Sequence, residues 1–359
     1  MSEILVALSI LIFLLEGSSL TTWKTSSDKL PYNAECIIAG YNASTGNGIL
    51  FGGIPNQHGH IYKFTVNTND PNDISIDIKS TNENAPNDAA ACNGPLSTTL
   101  NNKVYYISDD NNNGKLTSVS MAHPYKAKEL INKTNDDCWS NAKSLCLTND
   151  NRDTLYLMCD TVLFYYNTLS SSKDWMQVSS SAKYNHSQGT CAYANNSVYA
   201  ISGSDDCNIE YYDIGSKNWT DIGCLKNDNG KNTTLSNALS VYNGNNDIFV
   251  LGGNEPDSNS TTHNVNTVFD IIINSNNIDT STVSPLPSNI TNMFGMYLDD
   301  HIFLFGGSYQ NESGTQYSNQ IFYSQTVNTS SPTISTLTPT VSTLAPTQSP
   351  TKSPTKSTT

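Results

Sequence analysis

Apolar residues in this chain come in short runs that stop abruptly. "HIFLFGGSY" from His301 sets four large apolar side chains before two glycines, and "DIFVLGGN" from Asp247 and "GILFGGI" from Gly48 repeat the arrangement. Weaker copies are "SVYAISGS" from Ser197, "DTLYLMCD" from Asp153 and "KVYYISDD" from Lys103. With the second glycine or its equivalent as the marker, the copies fall at Gly53, Asp109, Asp160, Gly203, Gly253 and Gly307, separated by 56, 51, 43, 50 and 54 residues. Units of about this length point to propeller blades.

Each marked run follows another short apolar run and a turn: "CIIAGYN", "LSTTLNN", "SLCLTND", "CAYANNS", "LSVYNGNN" and "MFGMYLDD". Asn and Asp tolerate positive φ and bond their own backbone, so these pairs read as β-hairpins. A polar loop and a third strand come next, as "HIYKFTV", "KLTSVSM", "TVLFYYN", "NIEYYDI", "NTVFDII" and "NQIFYSQ". A fourth often follows, such as "ISIDIKS", where Ile74, Ile76 and Ile78 alternate with polar residues as a half-buried strand requires. The expectation is an all-β, six-bladed propeller with four antiparallel strands per blade. A residue without Cβ can leave the strand at positive φ and let backbone pack against it, which accounts for the glycines.

The last unit has no fourth strand before the composition changes at Thr329. "TTWKTSSDKLPYNAEC" from Thr21, with Trp23, supplies one. This N-terminal segment is expected to pair into the last blade and close the ring, leaving few exposed edges.

These residues resemble the kelch repeat family, whose signature is an apolar strand ending in Gly-Gly, a Tyr-Asp pair in the third strand and a Trp opening the fourth. The best copy is "ISGSDDCNIEYYDIGSKNW", with Gly203, Tyr212, Asp213 and Trp219; Tyr166 and Trp175 match more loosely, and Phe269-Asp270 replaces Tyr-Asp in the fifth unit. The resemblance covers residues 20–328. The second and third units lack the glycine pair and the fourth has one glycine, so a seventh blade stays open as an alternative count.

Ile4 to Leu15 is a nearly unbroken apolar run, too short for a comfortable transmembrane helix and the right length for a signal-peptide core. Residues 1–18 read as a signal peptide, with Gly17, Ser18 and Ser19 as the cleavage region and an uncleaved anchor as the alternative; its n-region, "MSE", carries no Lys or Arg. Eight Cys fit an oxidising compartment. Cys207 and Cys224 are the candidate disulfide, because they bracket the third and fourth strands of one blade. Such a loop contributes roughly 3 kcal/mol in the chain-entropy account. Ten Asn-X-Ser/Thr sequons, at Asn42, Asn132, Asn185, Asn195, Asn218, Asn232, Asn259, Asn289, Asn311 and Asn328, are the N-glycosylation candidates; most fall in predicted turns or strand ends. Residues 329–359 are about three-quarters Ser, Thr and Pro and read as a disordered stalk or linker that cannot build a core.

The net charge of −14, with Arg152 the single arginine, disfavours nucleic acid and anionic membranes as partners. It also argues against sialidase chemistry, which holds a carboxylate with three arginines. A galactose-oxidase-like copper enzyme needs two His and two Tyr ligands, one Tyr linked to Cys. His58 and His60 form an H-x-H that a strand would place on one face, while His123, His186, His263 and His301 stand alone. "DDNNNG", with Asp109, Asn111, Asn113 and Gly114, has the spacing of a calcium loop, but Ser120 stands where the bidentate Glu belongs. No catalytic, cofactor-binding or metal-ligating residue is therefore assigned, and no cofactor. The functional expectation is a secreted or cell-surface, monomeric kelch-type scaffold that binds a protein or glycan without catalysis and has no membrane span. A galactose-oxidase-like or other carbohydrate-active enzyme is the alternative.

Overall fold

The computed structural model describes residues 18–328 apart from 55–58, 70–73, 87–95, 111–112, 133–144, 172–173, 228, 257–260 and 274–277. Among the described residues there is no helix. Six antiparallel sheets, covering residues 38–84, 97–132, 145–177, 190–224, 239–283 and 294–328, stand as the blades of a propeller. The first strand of each blade is innermost and lies beside the first strand of the next. Phe294–Leu298 of the sixth lies beside Ile38–Asn42 of the first, which closes the ring.

The second strands are the uninterrupted apolar runs because both of their faces are covered. Ser197–Ile201, Asp247–Leu251 and His301–Phe305 are buried at every position. In the fifth blade, Ile248 and Val250 pack with residues of the fourth, while Phe249 and Leu251 pack with residues of the sixth. A strand wedged between two neighbours loses the apolar–polar alternation of a half-exposed one. The outer strand Asn218–Cys224 keeps mostly exposed or half-buried positions.

The paired glycines are explained by the loops that enter the blades. Gly306 and Gly307 both have positive φ, 66° and 99°. A Cβ on Gly306 would stand 2.5 Å from the carbonyl oxygen of Ala34, and one on Gly307 would stand 2.8 Å from that of Thr291. The first glycine thus lets the loop entering the next blade approach, and the second admits the loop entering its own blade. In the third and fourth blades Asp160 and Ser202 take the same left-handed conformation, with φ of 51° and 54°, as Asp does more readily than most residues; strand register thus puts Asp160 at the first-glycine position, one place from the second-glycine position the sequence assigns it.

The N-terminal segment completes the sixth blade in two pieces. Lys24–Lys29 pairs with the first half of the strand Gln320–Asn328, and Ser18–Leu20 pairs with the second half. Between them Thr21 holds the register: its N–H donates to the Gln325 carbonyl at 2.9 Å, and its Oγ1 accepts the Gln325 N–H at 3.0 Å. Among the described residues the sheet therefore includes Ser18, inside the segment that the sequence assigns to the signal peptide.

Three further features differ from the sequence reading. In the fifth and sixth blades the polar stretch after the glycines is itself a hairpin, Asn254–Pro256 with Thr262–Asn264 and Ser308–Asn311 with Gly314–Tyr317. The fourth strand of the third blade is only Met176–Gln177. The strand register also moves the fifth Tyr-Asp equivalent: Tyr212 lies opposite Val198, and Ile271 lies opposite the corresponding Ile248. Ile271-Ile272 therefore replace Tyr212-Asp213, while Phe269-Asp270 match Glu210-Tyr211. Asp213 turns the chain, with Oδ1 accepting the Ser216 N–H; Asp270 is buried mid-strand.

Candidate functional site

The six inner strands surround a central cavity of about 530 Å³, within the range of small-ligand pockets, roughly 300–1,000 Å³. It runs from Cys36 and Met293 at one end of the strands to Ala43, Asn151 and Gly244 in the hairpin turns at the other. No charged side chain lines it among the described residues, and its two cysteines, Cys36 and Cys191, are disulfide-bonded.

Near the hairpin end the lining repeats from blade to blade. Tyr41, Thr99, Thr148, Tyr193, Tyr242 and Tyr297 lie opposite Gly48, Val104, Tyr156, Val198, Ile248 and Ile302. In five blades those partners lie four residues ahead of the left-handed residue that ends the second strand, and in the second blade Val104 is the second residue of its strand, as Val198, Ile248 and Ile302 are of theirs, so the six residues occupy one structural position. All six line the cavity, four as tyrosine and two as threonine.

Local turn chemistry fixes the tyrosines. The Tyr193 hydroxyl donates to Asn196 Oδ1 at 3.5 Å, and Tyr297 to Asp300 Oδ1 at 3.1 Å. Tyr242 has the Asn245 carbonyl at 2.6 Å and, across the blade boundary, Asn195 Oδ1 at 3.1 Å. Each hydroxyl thus reaches into the turn that follows its own strand. The rings are braced as well: Tyr193 stacks on Tyr156 of the preceding blade at 5.9 Å, and Tyr41 on Phe64 at 5.8 Å. Burial first, with nearby carboxylates adding, pushes Tyr41, Tyr193, Tyr242 and Tyr297 above the usual phenol range. They are neutral donors at physiological pH. Asn149 adds an amide, donating to the Thr99 carbonyl at 3.2 Å and to Thr98 Oγ1. The lining offers aromatic faces, hydroxyls and amides, which suits an uncharged polar ligand.

The histidines do not gather. His60 is exposed at the start of its strand, and His58 lies outside the described residues. His123 is exposed, 3.5 Å from Glu83. His263 is exposed in a hairpin, opposite Glu255. His301 is buried, its Nδ1 2.6 Å from the Asp299 carbonyl. His186 has a partner that its sequence neighbours do not reveal: buried Glu210, with Nε2 to Oε2 3.2 Å and Nδ1 donating to the Ser202 carbonyl at 2.9 Å. Glu210 also accepts the N–H groups of Lys183 and Tyr184. Although burial alone would raise the Glu210 carboxyl, these hydrogen bonds hold it below the usual range. The pair ties the loop entering the fourth blade to its third strand. Among the described residues no group of three His, Cys, Asp or Glu could hold a metal ion. Asp109 and Asp110 pair with Gly114 and Asn113 as the end of a hairpin ladder, and Asn111 is outside the described residues.

Cys207 and Cys224 are joined by a disulfide, their Cα atoms 4.8 Å apart across neighbouring strands. A second disulfide, Cys146–Cys191, joins the inner strands of the third and fourth blades; Cys36 and Cys159 are disulfide-bonded too. Of the sequons, Asn185, Asn195, Asn218, Asn232, Asn289 and Asn311 are exposed. Asn42 is half-buried and donates to Asn102 Oδ1, Asn132 and Asn328 end strands, and Asn259 is outside the described residues.

The tyrosine ring is the feature that sequence reasoning missed. Tyr212 of the third-strand Tyr-Asp pair is buried instead. The signal was a Tyr just before the turn in "CIIAGYN", "CAYANNS", "LSVYNGNN" and "MFGMYLDD". No protein-family model matches the chain, and no curated protein matches it.

Proposed function

We propose that this propeller is a kelch-type binding scaffold, exported by its signal segment, that takes a neutral glycan at the tyrosine-lined mouth of its central channel. The carrying observation is the ring of one residue per blade, four tyrosines and two threonines, around a cavity of about 530 Å³ that no charged side chain lines among the described residues. Aromatic faces with fixed hydroxyls are the chemistry that recognises sugar rings. The disulfides and the exposed sequons favour an oxidising, glycosylating compartment. The 329–359 segment then serves as a stalk or linker that holds the propeller away from its attachment, and the propeller acts as a monomer.

The test is a glycan array probed with secreted protein and its Tyr242→Phe and Tyr193→Ala variants. Binding to neutral glycans that both variants weaken supports the reading. Binding that neither variant alters places recognition elsewhere, and capture of a protein loop at the same mouth replaces the glycan with a protein partner.

A further inference from the structure

Where the N-terminal segment meets the fifth blade, two carboxylates are buried with no cationic partner among the described residues. Asp247 and Asp270 sit diagonally on one face of paired strands, opposite Ile272 and Phe249, and are 1% and 0% exposed. Asp247 Oδ2 accepts from Asn243 Nδ2 at 2.6 Å. Asp247 Oδ1 and both oxygens of Asp270 have no hydrogen-bond partner among the described residues. None of the ion pairs among those residues involves either group. Burial, then the charge of Asp247, pushes Asp270 up to about 8. Protonating Asp270 removes one charge but leaves acceptor oxygens unmet, and a buried unmet acceptor costs about 1–3 kcal/mol. The arrangement calls for a compact cation with several donors.

Asn243 links this pair to the N-terminal strand. Asn243 Nδ2, the donor to Asp247, also stands 3.3 Å from Ser18 Oγ. Ser18 is 6% exposed, begins the strand Ser18–Leu20 and pairs with Asn328. It lies within the small-residue cleavage region of the signal segment. An internal serine carries one neutral backbone N–H. An N-terminal serine offers an ammonium group with three donors.

We propose that export processing leaves Ser18 as the first residue, and that its new α-ammonium group is the counter-ion of the buried Asp247 and Asp270. The step is hydrolysis of the peptide bond ahead of Ser18 by a signal peptidase: water supplies the oxygen of the new carboxylate on the leader, and the amine of Ser18 takes up a proton. Cleavage one residue later would discard the residue that touches Asn243 and pairs with Asn328. Processing thereby stabilises the strand that closes the ring, so the mature propeller is more stable than its precursor. The inference rests on the secretory reading above.

The experiment compares protein secreted from the full chain with a version secreted carrying two extra alanines ahead of Ser18, each with and without Asp270→Asn. Intact mass fixes the terminus, thermal unfolding at pH 8 reads stability, and metal content is measured alongside. The expected mass begins at Ser18, the extended form melts lower, and Asp270→Asn has opposite effects: it destabilises the chain that starts at Ser18 and stabilises the extended one. An unprocessed chain overturns both this inference and the secretory reading. A terminus at another residue overturns the inference alone, as does equal stability of the two forms or stoichiometric metal that is lost with Asp270→Asn.

Discussion

The indole Nε1 of Trp23 donates to the backbone carbonyl of Ser284 at 2.9 Å, joining residues 261 positions apart. Trp219 does the same across another blade boundary, donating to the Ser180 carbonyl at 3.1 Å. In both cases an outer-strand tryptophan fastens its blade to the end of the preceding one. At Trp23 this contact also fastens the two ends of the chain's fold, because the outer strand of the sixth blade comes from the N-terminus.

Trp23→Ala should therefore destabilise the whole ring. The side chain is buried among Leu20, Leu286 and Met293, and truncating a buried Trp costs about 3–5 kcal/mol. Deleting Thr21 to Ser27 should cost more, since it also strips the edge of Gln320–Asn328. Thermal unfolding measures both; an unchanged Tm after the deletion would show that closure contributes nothing.

Gly307→Ala and Gly314→Ala separate strain from packing. Both residues have positive φ, near 99° and 103°. Only Gly307 would place its Cβ against backbone, 2.8 Å from the Thr291 carbonyl, whereas a Cβ at Gly314 meets nothing within 4 Å. A conformation unsuited to Ala costs more than about 1 kcal/mol, and Gly307→Ala adds displacement of the entering loop. Denaturant midpoints should rank wild type, then Gly314→Ala, then Gly307→Ala.

The His186–Glu210 pair sets an acid limit. Glu210 is held below its ordinary value of 4.5, so the folded state binds the proton less readily than the unfolded chain. Its contribution is complete above the unfolded pKa and is lost as pH falls through the folded one. Glu210→Gln should cost stability at pH 7 and progressively less below about pH 4. Urea unfolding across that range checks the sign, and a loss that grows toward acid would contradict it.

Cys146→Ala with Cys191→Ala opens a link between inner strands 45 residues apart. Loss of a native disulfide typically costs about 2–5 kcal/mol. The Tm should fall while the propeller still forms, because Leu147, Leu155 and Leu157 of the third blade and Ala192 and Tyr199 of the fourth stay packed in their own clusters. Circular dichroism before and after heating distinguishes a weakened ring from a lost one.

The repeat itself determined much of this protein. Six apolar runs ending in glycine or its Asp and Ser substitutes gave the blade count, since that pattern depends on backbone sterics local to each unit. The closing strand was legible for a related reason: the last unit lacked an outer strand and Thr21 to Lys29 had no other partner. What the chain alone left open is what depends on angular order around the axis. Tyr41 and Tyr297 are 256 residues apart in sequence, yet they share one rim because the sixth blade returns to the first. Asp270 looked like the Asp of the fifth Tyr-Asp pair until strand register placed it mid-strand, and His186 looked solitary until Glu210 came across from a strand 24 residues on. Spacing along the chain reports the period of a closed ring, but only the packed blades decide which side chains face the axis and which are sealed between neighbours.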